Sequence, residues 1–272
     1  MTSYEYVVAD VFTDTPLTGN QLAVFVDSAV PEDLMQPLAR EIGFSETVYV
    51  EARDRIRIFT PAVELPFAGH PTLGTAFVLT RQRGAHEIAL ETKAGAVRVT
   101  FDAAGRGRMT QPLPTVTPWP GDERALLDAL RVPGSALPVD VYDNGMRHLY
   151  VVLDDEAAVA GLRPDVAALG ELTPGIGVNC IAGAGAAWKS RMFGPGVGVD
   201  EDPATGSAAG PLAVHLCRHG VVPWGTEVTI TQGVELQRPS TLYAVARGSE
   251  DRLDAVEVAG DTVVVGRGTF EL

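Results

Sequence analysis

Cysteine is scarce in this chain: Cys180 and Cys217 are the only two among 272 residues. Two distant thiols give neither the paired spacing of a zinc site nor the framework of a small secreted domain. A reducing, cytoplasmic setting is therefore expected. Basic residues are short as well, 21 Lys and Arg against 35 Asp and Glu, for a formal net charge of −14. A surface that neutralises phosphates needs the opposite balance, which excludes nucleic acid and an anionic membrane as partners. The longest uncharged stretch, Leu172 to Trp188, is broken by Pro174, Asn179 and four glycines and is too short to cross a bilayer. Met1 to Phe12 carries Glu5 and Asp10 in place of a basic start and an apolar core, so no signal peptide is expected. No nucleophile elbow, phosphate loop or zinc motif is present. Gly183-Ala184-Gly185 lacks a third glycine, and Gly194-Pro195-Gly196 carries a proline that removes a backbone donor. No cofactor and no metal is expected.

What is present is ordinary globular material, 46% hydrophobic and 21% charged, and it is written twice. Arg57-Ile58-Phe59-Thr60-Pro61 leads to Gly69-His70 and an apolar helix ending at Gly84. Arg191-Met192-Phe193-Gly194-Pro195 leads to Gly206-Ser207 and an apolar helix ending at Gly220. Upstream, Asp10-Val11-Phe12 with Val24-Phe25-Val26-Asp27 parallels Asp140-Val141-Tyr142 with Val151-Val152-Leu153-Asp154. Downstream, Leu90 to Gly95 parallels Thr229 to Gly233. Four matched segments in one order indicate duplication. Gln111 to Gly121 holds four prolines in eleven residues and reads as a linker. The expected halves are 1–117 and 118–272, with the last strand able to return to the first half.

Strands are expected over Tyr6–Phe12, Ala23–Asp27, Thr47–Glu51 and Arg55–Phe59, from alternation and β-branched residues. Pro31–Ile42 reads as a helix: proline opens it, Glu32 and Asp33 suit its positive end, and Gly43 ends it. Ala85–Leu90 and Ala96–Phe101 read as a hairpin. The fold class is α+β, two similar half-domains with a sheet curled around or against a helix in each. The Gly69 and Gly206 helices, apolar along most of their length, are expected at the centres of the halves, with their N-termini offering N–H groups to an anion in a shared cleft. An acidic protein can thus bind an acidic ligand.

Candidate chemistry lies at the edges of these elements. Glu46 stands where a helix exits into a strand. It is either an exposed loop carboxylate or, if partly buried, a general acid/base with a raised pKa. His70 follows Gly69 at a helix start, a position also ordinary for a capping or core histidine. Asp202 ends the run Asp200-Glu201-Asp202, which usually marks a solvated loop but here precedes the duplicated helix. Ser207 is an unremarkable first-turn residue taken alone. Cys180 and Cys217 read as small buried side chains. Cys217 is too far down its helix to line the same site as a helix start, which disfavours a two-thiol epimerase.

Together these residues sit in motifs that resemble a known family. Gly43-Phe44-Ser45-Glu46-Thr47, Glu64 to Gly74 and Asp202-Pro203-Ala204-Thr205-Gly206-Ser207-Ala208-Ala209-Gly210 are similar to the signatures of the phenazine-biosynthesis PhzF family. Gly19-Asn20, Tyr142 to His148, Asn179 to Gly185 and Gln232 to Glu235 extend the likeness. The resemblance implies a diaminopimelate epimerase-like fold and a homodimer. It also implies a cofactor-free isomerase that moves a proton on a small cyclic carboxylate, as when trans-2,3-dihydro-3-hydroxyanthranilate becomes an aminoketone. Glu46 would then be the proton shuttle and His70, Asp202 and Ser207 its polar assistants. Asn20, Ser45, Gly69 and Gly206 would bind the substrate. Pro203 departs from the alanine expected of the phenazine enzyme, which leaves open another small acid as substrate, or a binding protein without turnover.

Overall fold

Ser3–Val11 makes β1, which buries Tyr4 on one face and Val7, Ala9 and Val11 on the other. The computed structural model describes residues 1–26 and 29–272, with the side chain of Arg53 left out. The expected strand end at Asp27 lies outside the described residues. β2 (Asn20–Phe25) pairs antiparallel with β1. α1 (Glu32–Ile42) starts after Pro31, buries Met35, Leu38 and Ala39 at helical spacing, and ends at Gly43 in the left-handed region. β3 (Glu46–Val50) then runs parallel to β2, and β4 (Ile56–Phe59) and β5 (Glu64–Leu65) follow antiparallel. α2 (Gly69–Arg83) is buried from Gly69 to Thr80. It can be buried all round because its polar residues bond inward: Thr72 and Thr80 hydroxyls donate to the carbonyls of Ala68 and Ala76. β6 (Glu87–Thr92) and β7 (Gly95–Phe101) form the expected hairpin, and β8 (Gly107–Thr110) adds to it.

The chain divides at Thr110/Gln111 and again at Val258/Ala259. The second unit, Gln111–Val258, begins with β9 (Thr115–Pro118), α3 (Glu123–Leu130), β10 (Asp140–Asp143) and β11 (Arg147–Val152). The proline-rich stretch read as a linker therefore holds a strand. β9 pairs with β10 on one side and ends the sheet, a place where Pro118 needs no ladder partner. Two short helices follow, α4 (Glu156–Ala160) and α5 (Val166–Leu172), then β12 (Ile176–Ala184), β13 (Ala187–Gly194) and β14 (Val199–Asp202). α6 (Gly206–Arg218) is buried through Cys217. β15 (Glu227–Gln232), β16 (Ser240–Gly248) and β17 (Leu253–Gly260) complete a sheet of order β17-β16-β15-β13-β12-β11-β10-β9, with β14 paired to β13. β18 (Thr262–Glu271) belongs to the first unit, where it pairs with β1 in the order β18-β1-β2-β3-β4-β5.

Each unit thus packs its strands on one buried helix, α2 against β1, β2, β3, β6, β7, β8 and β18, and α6 against β11, β15 and β16. Matching glycines allow the close approach. A Cβ at Gly74 would lie 2.6 Å from side-chain carbons of both Leu22 and Val11. One at Gly210 would lie 2.2 Å from Gln111 Oε1 and 2.5 Å from a Val256 methyl. The duplication also reaches side-chain chemistry. Arg57 holds Glu64 through paired contacts of 2.8 and 2.9 Å and lies over the Phe59 ring. Arg191 holds Glu201 through two contacts of 2.8 Å and lies over Phe193. In both units the forked guanidinium ties a strand to the segment that enters the central helix.

Candidate active site

In the first unit, β3 starts at Glu46, one short turn after α1. Its parallel pairing sets Glu46 opposite Leu22 of β2, close to where β2 begins with Asn20 and α2 with Gly69-His70. Glu46 is partly buried, its side chain 14% exposed, and its Oε2 lies 3.6 Å from Nε2 of His70. On the other edge of the imidazole, Nδ1 is 3.2 Å from the Asn20 amide nitrogen. His70 is enclosed, and burial pushes its pKa from 6.5 down to about 3, while a hydrogen bond with the Gln21 backbone works weakly the other way. The ring is therefore neutral at physiological pH. The structure brings Asn20, His70 and Glu46 into one line of polar groups. Ser45 lies in the turn just before Glu46 and is part-buried.

In the second unit the acidic run does not behave as a solvated loop at its end: Asp202 is buried. Its carboxylate accepts from the Thr205 hydroxyl at 2.5 Å. Gln232, at the end of β15, donates to the Asp202 carbonyl (2.8 Å) and to Thr205 Oγ1 (3.0 Å), and accepts from the Thr205 amide (3.3 Å). Gly233 lets the backbone pass close, since a Cβ there would meet carbonyl oxygens of Arg238 and Pro203 at 2.4 and 2.5 Å. The loop entering α6 is thereby fixed. Ser207, in the first turn of α6, lies 3.0 Å from Nε2 of His148 on β11. Burial also holds the pKa of His148 down near 3.

The first turn of α6 has a sequence-level problem with a structural answer. Pro211 has no N–H, so the Ser207 carbonyl loses its partner four residues on. The Asn144 amide supplies it at 2.9 Å. Gln111 donates to the Gly206 carbonyl at 2.7 Å, and the Tyr150 hydroxyl donates to that of Ala208 at 2.6 Å. Neither cap residue, Ala68 of α2 or Thr205 of α6, closes its helix start with its own side chain among the described residues. Amides at Gly69-His70 and Gly206-Ser207 are thus not taken up by those caps.

The two units are alike in scaffold and unlike in reactive groups. Thr47 faces Phe59 across β3–β4, and Val178 faces Phe193 across β12–β13. With Phe59 and Phe193 matched, Glu46 corresponds to Gly177. A Cβ at Gly177 would lie 2.9 Å from Nδ1 of His148, so the second unit has no room for a carboxylate at that place. His148 and Gln232 were not assignable from spacing, because strand register brings them to α6; Thr205 directly precedes Gly206, and Asn144 and Gln111 reach α6 from outside the strands. Cys180 and Cys217 are both buried and free, and burial raises their thiol pKa values to about 12 and about 11. Neither is a ready thiolate.

Residues 9–268 match the model of the phenazine biosynthesis-like protein family, PhzC-PhzF. The chain belongs to this family. It is 46% identical over 282 residues to a trans-2,3-dihydro-3-hydroxyanthranilate isomerase of Pseudomonas chlororaphis, covering 99% of this chain and 100% of the other. Among solved structures, a predicted epimerase from Pseudomonas aeruginosa superposes with a TM-score of 0.82 at 32% identity, over 98% of this chain and 99% of that one. A probable proline racemase from Agrobacterium radiobacter superposes with a TM-score of 0.65 at 14% identity, over 99% and 93%. This chain thus shares its α+β fold with that probable racemase. In this chain the two helix starts carry His70 and Ser207.

Proposed function

We propose that this chain is an isomerase acting on trans-2,3-dihydro-3-hydroxyanthranilate in phenazine biosynthesis, with Glu46 carrying the proton. The observation that supports this best is the partly buried carboxyl of Glu46 beside the enclosed, neutral His70, with glycine at the matching place in the second unit. One carboxyl group suffices for the reaction. The carboxylate of Glu46 takes a proton from one ring carbon of the substrate, and the electron pair of that C–H bond moves into the conjugated system. The resulting carboxylic acid returns the proton to another carbon on the same face. Atoms and charge balance with no cofactor. His70, oriented by Asn20, steadies the Glu46 carboxyl in both protonation states. Asp202 and Ser207, fixed by Gln232 and His148, hold polar groups of the substrate. Its carboxylate is received by the amides at Gly69-His70, with Ser45 beside Glu46, and the amides at Gly206-Ser207 are the corresponding donors of the second unit. The enzyme works in the cytoplasm as a homodimer, and light scattering at micromolar concentration giving a monomer mass would contradict the latter.

The test is to incubate the pure protein with trans-2,3-dihydro-3-hydroxyanthranilate and follow its ultraviolet absorbance. Loss of the substrate chromophore at a rate proportional to enzyme, unchanged after dialysis against EDTA, is expected. An unchanged spectrum would point to another small acid as substrate.

A further inference from the structure

The far end of α6 carries a second group of titratable residues, unconnected with the proton-transfer machinery. His215 and His219 lie one helical turn apart, and Asp140 of β10 reaches the same point. One ligand atom from each of the three lies within 4.8 Å of the others. Nε2 of His219 is 3.5 Å from Oδ2 of Asp140. Nε2 of His215 and Nε2 of His219 are both enclosed, and neither has a hydrogen-bond partner among the described residues. His215 is wholly buried. Two enclosed imidazole nitrogens without partners beside a carboxylate are costly unless something binds them.

We propose that Asp140, His215 and His219 bind a divalent transition ion of the zinc class. Histidines at i and i+4 on one helix face with a carboxylate from a neighbouring strand make a three-ligand set, and two imidazoles select zinc over calcium or magnesium. The surroundings fit. The Tyr142 hydroxyl lies 3.0 Å from Nδ1 of His215. When Nδ1–H donates to the phenol oxygen, Nε2 carries the lone pair that an ion would take, the usual outer-shell arrangement of a ligating histidine. Arg218 also hydrogen-bonds Tyr142, and its positive charge works against a cation there, which the Asp140 carboxylate offsets. His215 is eight residues beyond Ser207, about 12 Å along the helix. The ion therefore joins α6 to β10 and does not reach the reacting carbons.

The test uses tag-free, EDTA-washed full-length protein titrated with Zn(II) by calorimetry and with Co(II) by visible absorption. One Zn(II) per chain is expected, with ligand-field bands from Co(II) and a higher unfolding temperature when Zn(II) is bound. His219→Ala and Asp140→Asn should each weaken Zn(II) binding at least roughly tenfold, and Tyr142→Phe by roughly ten- to a hundredfold. His219 is partly exposed at the helix end, so its replacement spares the core; if it unfolds the protein, Asp140→Asn carries the comparison. Wild type taking up no ion, or a folded His219→Ala or Asp140→Asn variant binding as tightly as wild type, would overturn the assignment.

Discussion

Asn144 shows how a single side chain can serve a helix it does not belong to. Its amide replaces the N–H that Pro211 lacks, at the carbonyl of Ser207. Asn144→Ala should leave that buried carbonyl unsatisfied and cost about 1–3 kcal/mol. Urea unfolding would measure it, and a change within about 0.5 kcal/mol would show that the carbonyl finds another donor. Ser207 and His148 are similarly linked, at 3.0 Å. Ser207→Ala should lower kcat/KM if the hydroxyl is offered to substrate as proposed, and should also cost about 1–3 kcal/mol by leaving the buried Nε2 of His148 without that partner. A large stability loss with unaltered kinetics would make Ser207 structural. Such pairings explain what was legible at this scale. His70, Asp202 and Ser207 stood out because they border glycine-rich helix starts, and Glu46 because a helix exits into a strand there. His148 and Gln232 lie inside strands, where nothing in the local pattern separates a site residue from a core residue.

At the scale of elements, the two buried helices depend on glycine where they touch the strands. Gly74→Ala and Gly210→Ala should each cost about 1–3 kcal/mol, because a Cβ would overlap fixed side chains. Gly84 is the contrast. It caps α2 at φ 65°, and a Cβ there meets nothing within 4 Å. Gly84→Ala should therefore cost only the left-handed backbone penalty, about 1–2 kcal/mol. Thermal melts of the three variants check the order, and Gly84→Ala proving the worst would contradict it. Most elements were readable in advance: proline and glycine bracket α1, and alternation marks β1, β6 and β7. The stretch from Gln111 to Gly121 was not. Its prolines exclude a central strand, but Thr115–Pro118 pairs on one side only, and that distinction depends on a neighbour the local sequence does not contain.

For the whole molecule, buried histidines, His70 and His148 among them, make stability depend on pH. His70 and His148 have folded pKa values near 3 against an ordinary value of 6.5. Between those values the unfolded chain binds protons that the folded chain excludes. Their contribution is complete above about pH 6.5 and is lost as pH falls toward 3, at up to about 1.4 kcal/mol per pH unit for each residue. Chemical unfolding at pH 7 and pH 5 should show the drop, and equal stabilities would mean that the rings take up protons without unfolding. The duplication was legible as repeated motifs. Its asymmetry was not, because the match of Glu46 with Gly177 emerges from strand register rather than from similar residues.

That asymmetry leads to the claim that one carboxyl group performs the whole proton transfer. The most direct test compares wild type with Glu46→Gln on trans-2,3-dihydro-3-hydroxyanthranilate, by ultraviolet absorbance, with melting temperature as a check on folding. The amide keeps the shape of the side chain and cannot accept a proton. Turnover should fall at least roughly a hundredfold with the fold intact. Activity within a few-fold of wild type would remove Glu46 from the mechanism.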